Sequence, residues 1–237
     1  MKARSNRHRP MRPFVFLNLA MTADGKIATA NRAVHSFGSP RDREHLYELR
    51  AMADAVMCGA RTVEISQSIL GTGGESFRKL RLKNGLAESN LRVIVSGSGA
   101  IDPAAEIFKN KLSPVIVLTT QRAPERKLAR LRKLADQVKI CGATEIDFLG
   151  ALRWLRSEWK VQRLLCEGGG ELNDALFRAG LVDEIHLTIC PQIFGGRHAP
   201  TIAEGLGLQQ LTAAAKFDLT SLKREKAELF TVFSRRK

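Results

Sequence analysis

Short apolar runs, some alternating and some continuous, are punctuated along this chain by glycines and by longer stretches of helical periodicity. Pro13–Ala20, read as PFVFLNLA, alternates into a strand. Arg41–Ala53 carries Leu46, Leu49 and Met52 on one helical face, with Ser39 as its cap and Pro40 at the first position. Ala55–Cys58 is a short buried strand that ends at Gly59. Leu91–Ser96 and Pro114–Thr119 are β-rich runs followed by turn residues. Ala123–Leu134 and Ile146–Trp159 read as helices, and Arg163–Cys166 as a strand. After three glycines the chain reads as a helix through Phe177 and Arg178. Asp183–Cys190, Phe217–Lys223 and Glu228–Phe233 are closing strands. No helix separates the last two, so Arg224 to Glu228 predicts a hairpin and an antiparallel edge. Strands alternating with helices predict a layered α/β fold on a mostly parallel sheet. Gly71–Asn90 and Ala199–Leu211 are the irregular segments, of the kind that border sites.

The 237 residues are 44% hydrophobic, enough for one large α/β domain or two small ones. Residues 1–11 read as a basic head and 12–235 as a single domain. No apolar run is long enough to span a membrane, and the head lacks the apolar core of a secretory signal. Cys58, Cys141, Cys166 and Cys190 lie far apart in strand-like contexts. Buried free thiols, and hence a cytoplasmic protein, are the expectation. The formal charge of +14 draws on Lys2, Arg4, Arg7, Arg9 and Arg12 at one end and Arg235, Arg236 and Lys237 at the other. Without those eight it falls to +6, so the excess is read as lying partly in frayed ends. No aromatic interleaving or finger spacing supports a specific nucleic-acid surface.

Leu164–Asn173, LLCEGGGELN, is the segment richest in chemistry. A strand feeding glycines and a helix start exposes backbone N–H groups where an anion can sit. Glu167 interrupts the apolar strand just before the glycines and can accept from a substrate or ribose hydroxyl. A second glycine site, CGARTVE, ends a strand at Gly59 and offers Arg61 and Thr62 to an anion. In open α/β sheets, two such strand ends make a nucleotide crevice. The N-terminal set is Asn18, Thr22, Asp24, Gly25 and Lys26, in which Asp24 either closes an ordinary Asp-Gly turn or handles a proton. Arg50 is one position beyond Leu49 and faces either solvent or a cleft edge. His35, His45, His186 and His198 lack metal-ligand spacing, and no metal is assigned. The Gly-x-Ser-x-Gly and zinc-deaminase signatures are absent.

NLAMTADGKIAT, SPRDREHLYELRAMADAVMCGARTV and LLCEGGGELNDALFRAGLVDEIHLTICPQIFGG, in that order, resemble the reductase domain of bacterial riboflavin-biosynthesis deaminase–reductases and its stand-alone pyrimidine reductase relatives. The resemblance covers roughly Arg12 to Arg235. It implies a dihydrofolate-reductase-like three-layer fold, usually a homodimer, with NADPH as hydride donor and without the deaminase half. The implied substrate is 5-amino-6-(5-phosphoribosylamino)uracil, whose ribosyl group becomes ribityl. Carried over, Ala20, Ser36, Gly59, Arg61, Thr62, Ser96, Gly168, Gly169, Gly170, Glu171 and Leu172 meet the cofactor. Asn18, Thr22, Arg50 and Glu167 face the substrate, and Asp24 handles the proton. The family's acidic-Pro segment after Thr-Val, and the arginine that follows it, are missing from TVEISQSILGTGGESFRKLR. Arg78 or Arg81 is the expected replacement for holding phosphate. That departure keeps two alternatives open: reduction of a pterin or other heterocyclic imine, and a non-catalytic nucleotide- or nucleic-acid-binding protein.

Overall fold

The computed structural model describes residues 11–32 and 37–236. In chain order the first half comprises β1 (Phe14–Thr22), α1 (Pro40–Arg50), β2 (Ala55–Gly59), α2 (Ala60–Ser66), α3 (Glu75–Lys83), β3 (Leu91–Val95) and α4 (Glu106–Lys109). There follow β4 (Val115–Thr119), α5 (Glu125–Leu134), β5 (Gln137–Ile140), α6 (Phe148–Glu158), β6 (Arg163–Cys166) and α7 (Gly170–Arg178). The chain closes with β7 (Glu184–Cys190), β8 (Phe217–Glu225) and β9 (Glu228–Arg235).

The strands form one nine-stranded sheet in the order β5-β4-β3-β2-β6-β1-β7-β9-β8. From β5 to β7 every pairing is parallel, and β9 joins β7 antiparallel with β8 outside it. Period-2 alternation in the strands sorts side chains between two cores. Val15, Leu17 and Leu19 of β1 enter one core with Leu152 and Leu155 of α6 and Leu172 and Leu176 of α7. Phe16, between them, enters the other with Leu49 of α1, Val63 of α2 and Leu131 of α5. A sheet covered on both faces is the three-layer arrangement that parallel strands require.

The structure adds what the sequence pattern hid. Inside Gly71–Asn90 lies α3, and β5 is a further parallel edge strand. The hairpin between β8 and β9 is tighter than expected, with Glu225 opposite Glu228. Three of the terminal arginines do not belong to frayed ends. Arg12 pairs bidentately with Asp183 at 2.7 Å, Arg235 donates to the Gly180 carbonyl, and Arg236 pairs with Asp218. Asp183 also accepts from the Val15 amide at 2.8 Å, which ties the start of β1 to the start of β7. All four cysteines are buried free thiols, and burial raises Cys141 to about 11 and Cys166 and Cys190 to about 12. No helix is long and apolar enough to cross a membrane among the described residues.

Candidate active site

A cleft of about 880 Å³ lies along the carboxyl ends of β1, β2, β3 and β6. Its floor is built from the two glycine sites. The Gly59 amide donates to the Gly168 carbonyl at 2.8 Å, and the Glu167 amide donates to the Met57 carbonyl at 2.9 Å. The turn after β6 is thereby pinned to the end of β2. Gly168 has φ +82°, a conformation open to glycine, and the Gly168–Gly169 peptide is cis. Gly169 caps α7 without a side-chain hydrogen bond, so the first-turn N–H groups have no side-chain cap. Asn173, fully buried, donates to the Ile202 carbonyl, and the Glu204 amide donates to the Gly170 carbonyl. Those bonds draw the 200–204 segment over the start of α7.

Glu167 lines the cleft and is held by Arg50 from α1. Nε and Nη2 of Arg50 each donate to a different carboxylate oxygen at 2.6 Å, and Nη1 donates to the Gly71 carbonyl at 2.5 Å. Burial disfavours the Arg50 charge, but the charge and hydrogen bonds of Glu167 outweigh it and raise the guanidinium above its ordinary value. Arg50 is therefore a buried cation that orients Glu167 rather than a solvated helix side chain. Asn18, on β1, also lines the cleft, and its Oδ1 is buried without a hydrogen-bond partner.

Of the remaining sequence-expected residues, Ala20, Gly59, Arg61, Thr62, Ser96, Gly169, Gly170, Glu171 and Leu172 line the same cleft. Arg61 and Glu171 face each other at 3.6 Å in solvent, and Ser96 donates to the Ala100 carbonyl. Gly168 does not line the cleft; its carbonyl accepts from the Gly59 amide and the Cys58 thiol. Ser36 lies outside the described residues.

Arg50, expected to face the substrate, is not among the residues lining the cleft, and four further expectations are corrected by geometry. Asp24 does not line the cleft: it accepts from the Thr22 hydroxyl at 2.5 Å and from the Phe194 and Gly195 amides. The Thr22 bond, ahead of those amides, lowers its pKa, so it is a carboxylate that braces a turn. Thr22 is fully buried and spent on Asp24 and Lys26. Arg81 is buried, with its guanidinium donating to the Arg50, Ala53 and Ala87 carbonyls. Arg78 is exposed opposite Glu88. Neither arginine reaches the cleft.

Sequence reasoning missed Arg32, Phe37, Asp42, Leu46 and Glu204, all of which line it. Arg32 pairs with Glu204 at 3.2 Å across the cleft mouth. A signal for Asp42 was present, because Asp42, Leu46, Leu49 and Arg50 follow the spacing of a single helix face.

A mostly parallel sheet closed by an antiparallel edge, with a cleft at its strand ends and a buried Arg–Glu pair beside a glycine turn, fits an oxidoreductase of the dihydrofolate-reductase-like class. More narrowly, the chain belongs to the RibD C-terminal domain family, whose model matches residues 13–230. It is 34% identical over 209 residues to the 2,5-diamino-6-ribosylamino-4(3H)-pyrimidinone 5′-phosphate reductase of Methanothermobacter thermautotrophicus, covering 88% of this chain and 92% of that protein. The protein of the same name from Archaeoglobus fulgidus is 33% identical, over 82% of this chain and 88% of its own length. Among solved structures, a pyrimidine reductase-like protein from Corynebacterium diphtheriae superposes with a TM-score of 0.80 at 22% identity, over 95% and 92% of the two chains. The deaminase/reductase of Thermotoga maritima superposes with a TM-score of 0.71 at 22% identity, and the match spans 57% of that longer chain.

Proposed function

We propose that this protein catalyses the NADPH-dependent reduction of a 6-ribosylaminopyrimidine 5′-phosphate, converting its ribosyl group to ribityl in riboflavin biosynthesis. The observation that carries this reading is the assembly, in one cleft, of the glycine turn, Glu167 held by Arg50, and the unpartnered oxygen of Asn18. The residues present suit a pyridine nucleotide. The N–H groups at the start of α7, with Thr62 and Arg61 alongside, meet its phosphates. Ala20, Ser96, Glu171 and Leu172 flank it, and Gly59 leaves open floor beside the Gly168 carbonyl. When bound, NADPH supplies the hydride; the protein supplies alignment and charge.

Glu167, fixed by Arg50, accepts hydrogen bonds from ribosyl hydroxyls, and Asn18 accepts from an amine or amide N–H of the pyrimidine. Arg32 and Arg61 are the cationic side chains that line the cleft among the described residues, so phosphate recognition falls to them and to the start of α7. A second copy of the chain, as in a homodimer, packs against the exposed leucines of the antiparallel edge.

The sequence resemblance implies the deaminated uracil as substrate, whereas the two relatives are named for the 2,5-diamino form. The test is NADPH oxidation, followed at the nicotinamide absorbance, with both pyrimidines and with a dihydropterin. Turnover of either ribosylaminopyrimidine, with none of the dihydropterin, is expected. Turnover confined to the dihydropterin, or absent throughout, would sink this reading.

A further inference from the structure

Adding a hydride to a carbon–nitrogen double bond leaves the nitrogen in need of a proton. Five acidic side chains line the cleft: Asp42, Glu64, Glu167, Glu171 and Glu204. Four have partners. Glu167 is clamped by Arg50, Glu204 pairs with Arg32, Glu171 faces Arg61, and Glu64 accepts from the Asp102 amide at 2.6 Å. Among the described residues, Asp42 has no cationic partner in a salt bridge and its buried Oδ1 has no hydrogen-bond partner. That oxygen shares this property with Asn18 Oδ1, on the same cleft. Asp24 lies outside it, committed to the turn at Phe194 and Gly195.

We propose that the Asp42 carboxyl delivers the proton taken up by the carbon–nitrogen bond that is reduced in this cleft. This role rests on the reductase reading above. The ribosylamine opens first: its ring C–O bond breaks, the amine N–H proton passes to the ring oxygen, and the carbon–nitrogen double bond forms. The hydride, with both electrons, comes from the reduced nicotinamide and forms the new C–H bond at that carbon. The proton leaves Asp42 and forms the N–H bond, the C=N π bond becomes the nitrogen lone pair that takes it, and the resulting carboxylate is reprotonated from water. Atoms and charge then balance as substrate, NADPH and one proton giving product and NADP⁺.

The surroundings of Asp42 favour its acid form. Burial raises its pKa most, the charge of Glu228 on β9 raises it further, and the Thr188 hydroxyl on β7 and His45 on its own helix oppose the rise. Glu228 accepts from both the Ser39 amide and the Ser39 hydroxyl, at 2.7 and 2.6 Å, which fixes it beside Asp42. Cys190 on β7, raised to about 12, is a neutral thiol there. Gly38 makes room for the carboxyl, since a Cβ at that position would fall 2.2 Å from Asp42 Oδ2.

The experiment compares wild type, Asp42→Asn and Asp42→Glu in steady-state turnover of the ribosylaminopyrimidine across pH, with NADPH affinity and melting temperature measured alongside. Wild-type kcat should fall on the alkaline side as Asp42 loses its proton. Asp42→Asn should lose about a hundredfold or more in kcat. It should also lose that alkaline limb, while binding NADPH as wild type does and remaining folded; Asp42→Glu should restore part of both. A kcat within about threefold of wild type in Asp42→Asn, an unchanged pH profile, or a loss confined to KM would overturn the role and make Asp42 a binding group, with the reductase reading intact. Absence of turnover in wild type overturns both.

Discussion

At the scale of single residues, the polar positions legible in sequence were those that interrupt an apolar pattern, and what stayed hidden was their partners. Glu167 stands out because it breaks a strand before glycines, but nothing in the sequence joins it to Arg50, 117 positions away. Their pairing makes Glu167 both a site residue and a stability determinant. Glu167→Gln leaves Arg50 buried with its charge uncompensated and is expected to cost about 3 kcal/mol, read from urea unfolding. Adding Arg50→Met should recover part of that loss, and a double-mutant cycle measures how much. A simple sum of the two single losses would show that the pair is not coupled. Arg81 and Asp24 illustrate the opposite failure, where the side-chain type suggested chemistry and hydrogen bonds to backbone took it away. Asp42 carries a further signature. Its folded pKa is raised above the ordinary 3.8, so the folded protein holds a proton that the unfolded chain releases. Stability is then lost as pH rises from 3.8 through the folded pKa, and the loss persists at neutral pH. Asp42→Asn removes the penalty. The variant should therefore melt higher than wild type at neutral pH, with the difference vanishing below pH 3.8. An equal difference at both pH values would mean that ionisation of Asp42 does not bear on folding.

At the scale of elements, the central strands and the helices flanking them were readable because their buried faces are apolar and periodic. Among those that were not are α3 and β5. On α3 the inward position is occupied by Arg81, whose guanidinium closes the carbonyls at the end of α1, so the helix packs without an unbroken apolar stripe. On β5 the four residues of an edge strand are only partly buried, so period-2 alternation has little to sort. The glycine triplet was legible as a turn, but the reason for glycine at its third position lies in another segment. A Cβ on Gly170 would fall 2.6 Å from Glu204 Cγ and 2.8 Å from the Thr201 carbonyl. The carbonyl is main chain, so the 200–204 segment must move, and Pro200 and Glu204 with it leave their places along the cleft. Gly170→Ala should weaken NADPH binding by about tenfold in a fluorescence titration, with melting temperature nearly unchanged. Wild-type affinity in that variant would detach the segment from cofactor binding.

At the scale of the whole molecule, alternation of strands and helices predicted the parallel body and its antiparallel close, yet strand order could not be read from it. That order places β1 between β6 and β7, which is why Asn18 on β1 and Glu167 after β6 share one cleft. The same order leaves β8 as a free edge, with unpaired backbone groups and with Leu219 and Leu222 exposed. Leu206, Leu208 and Leu211, in the segment leading to β8, are exposed as well. A long edge strand that presents leucines invites pairing with another chain unless it is covered. A second copy covers it in the homodimer proposed above, and the cleft sets a limit on what that contact does. β8 contributes no residue to the cleft. Dimerisation should therefore protect the edge without completing the nucleotide site. Leu222→Lys, which puts a charge on the edge, should shift sedimentation from dimer toward monomer and raise the dimer dissociation constant by about tenfold or more. NADPH affinity per chain should stay as in wild type. A dimer indifferent to the substitution would move the interface elsewhere on the surface, and loss of NADPH binding on dissociation would mean that the cofactor needs residues of both copies.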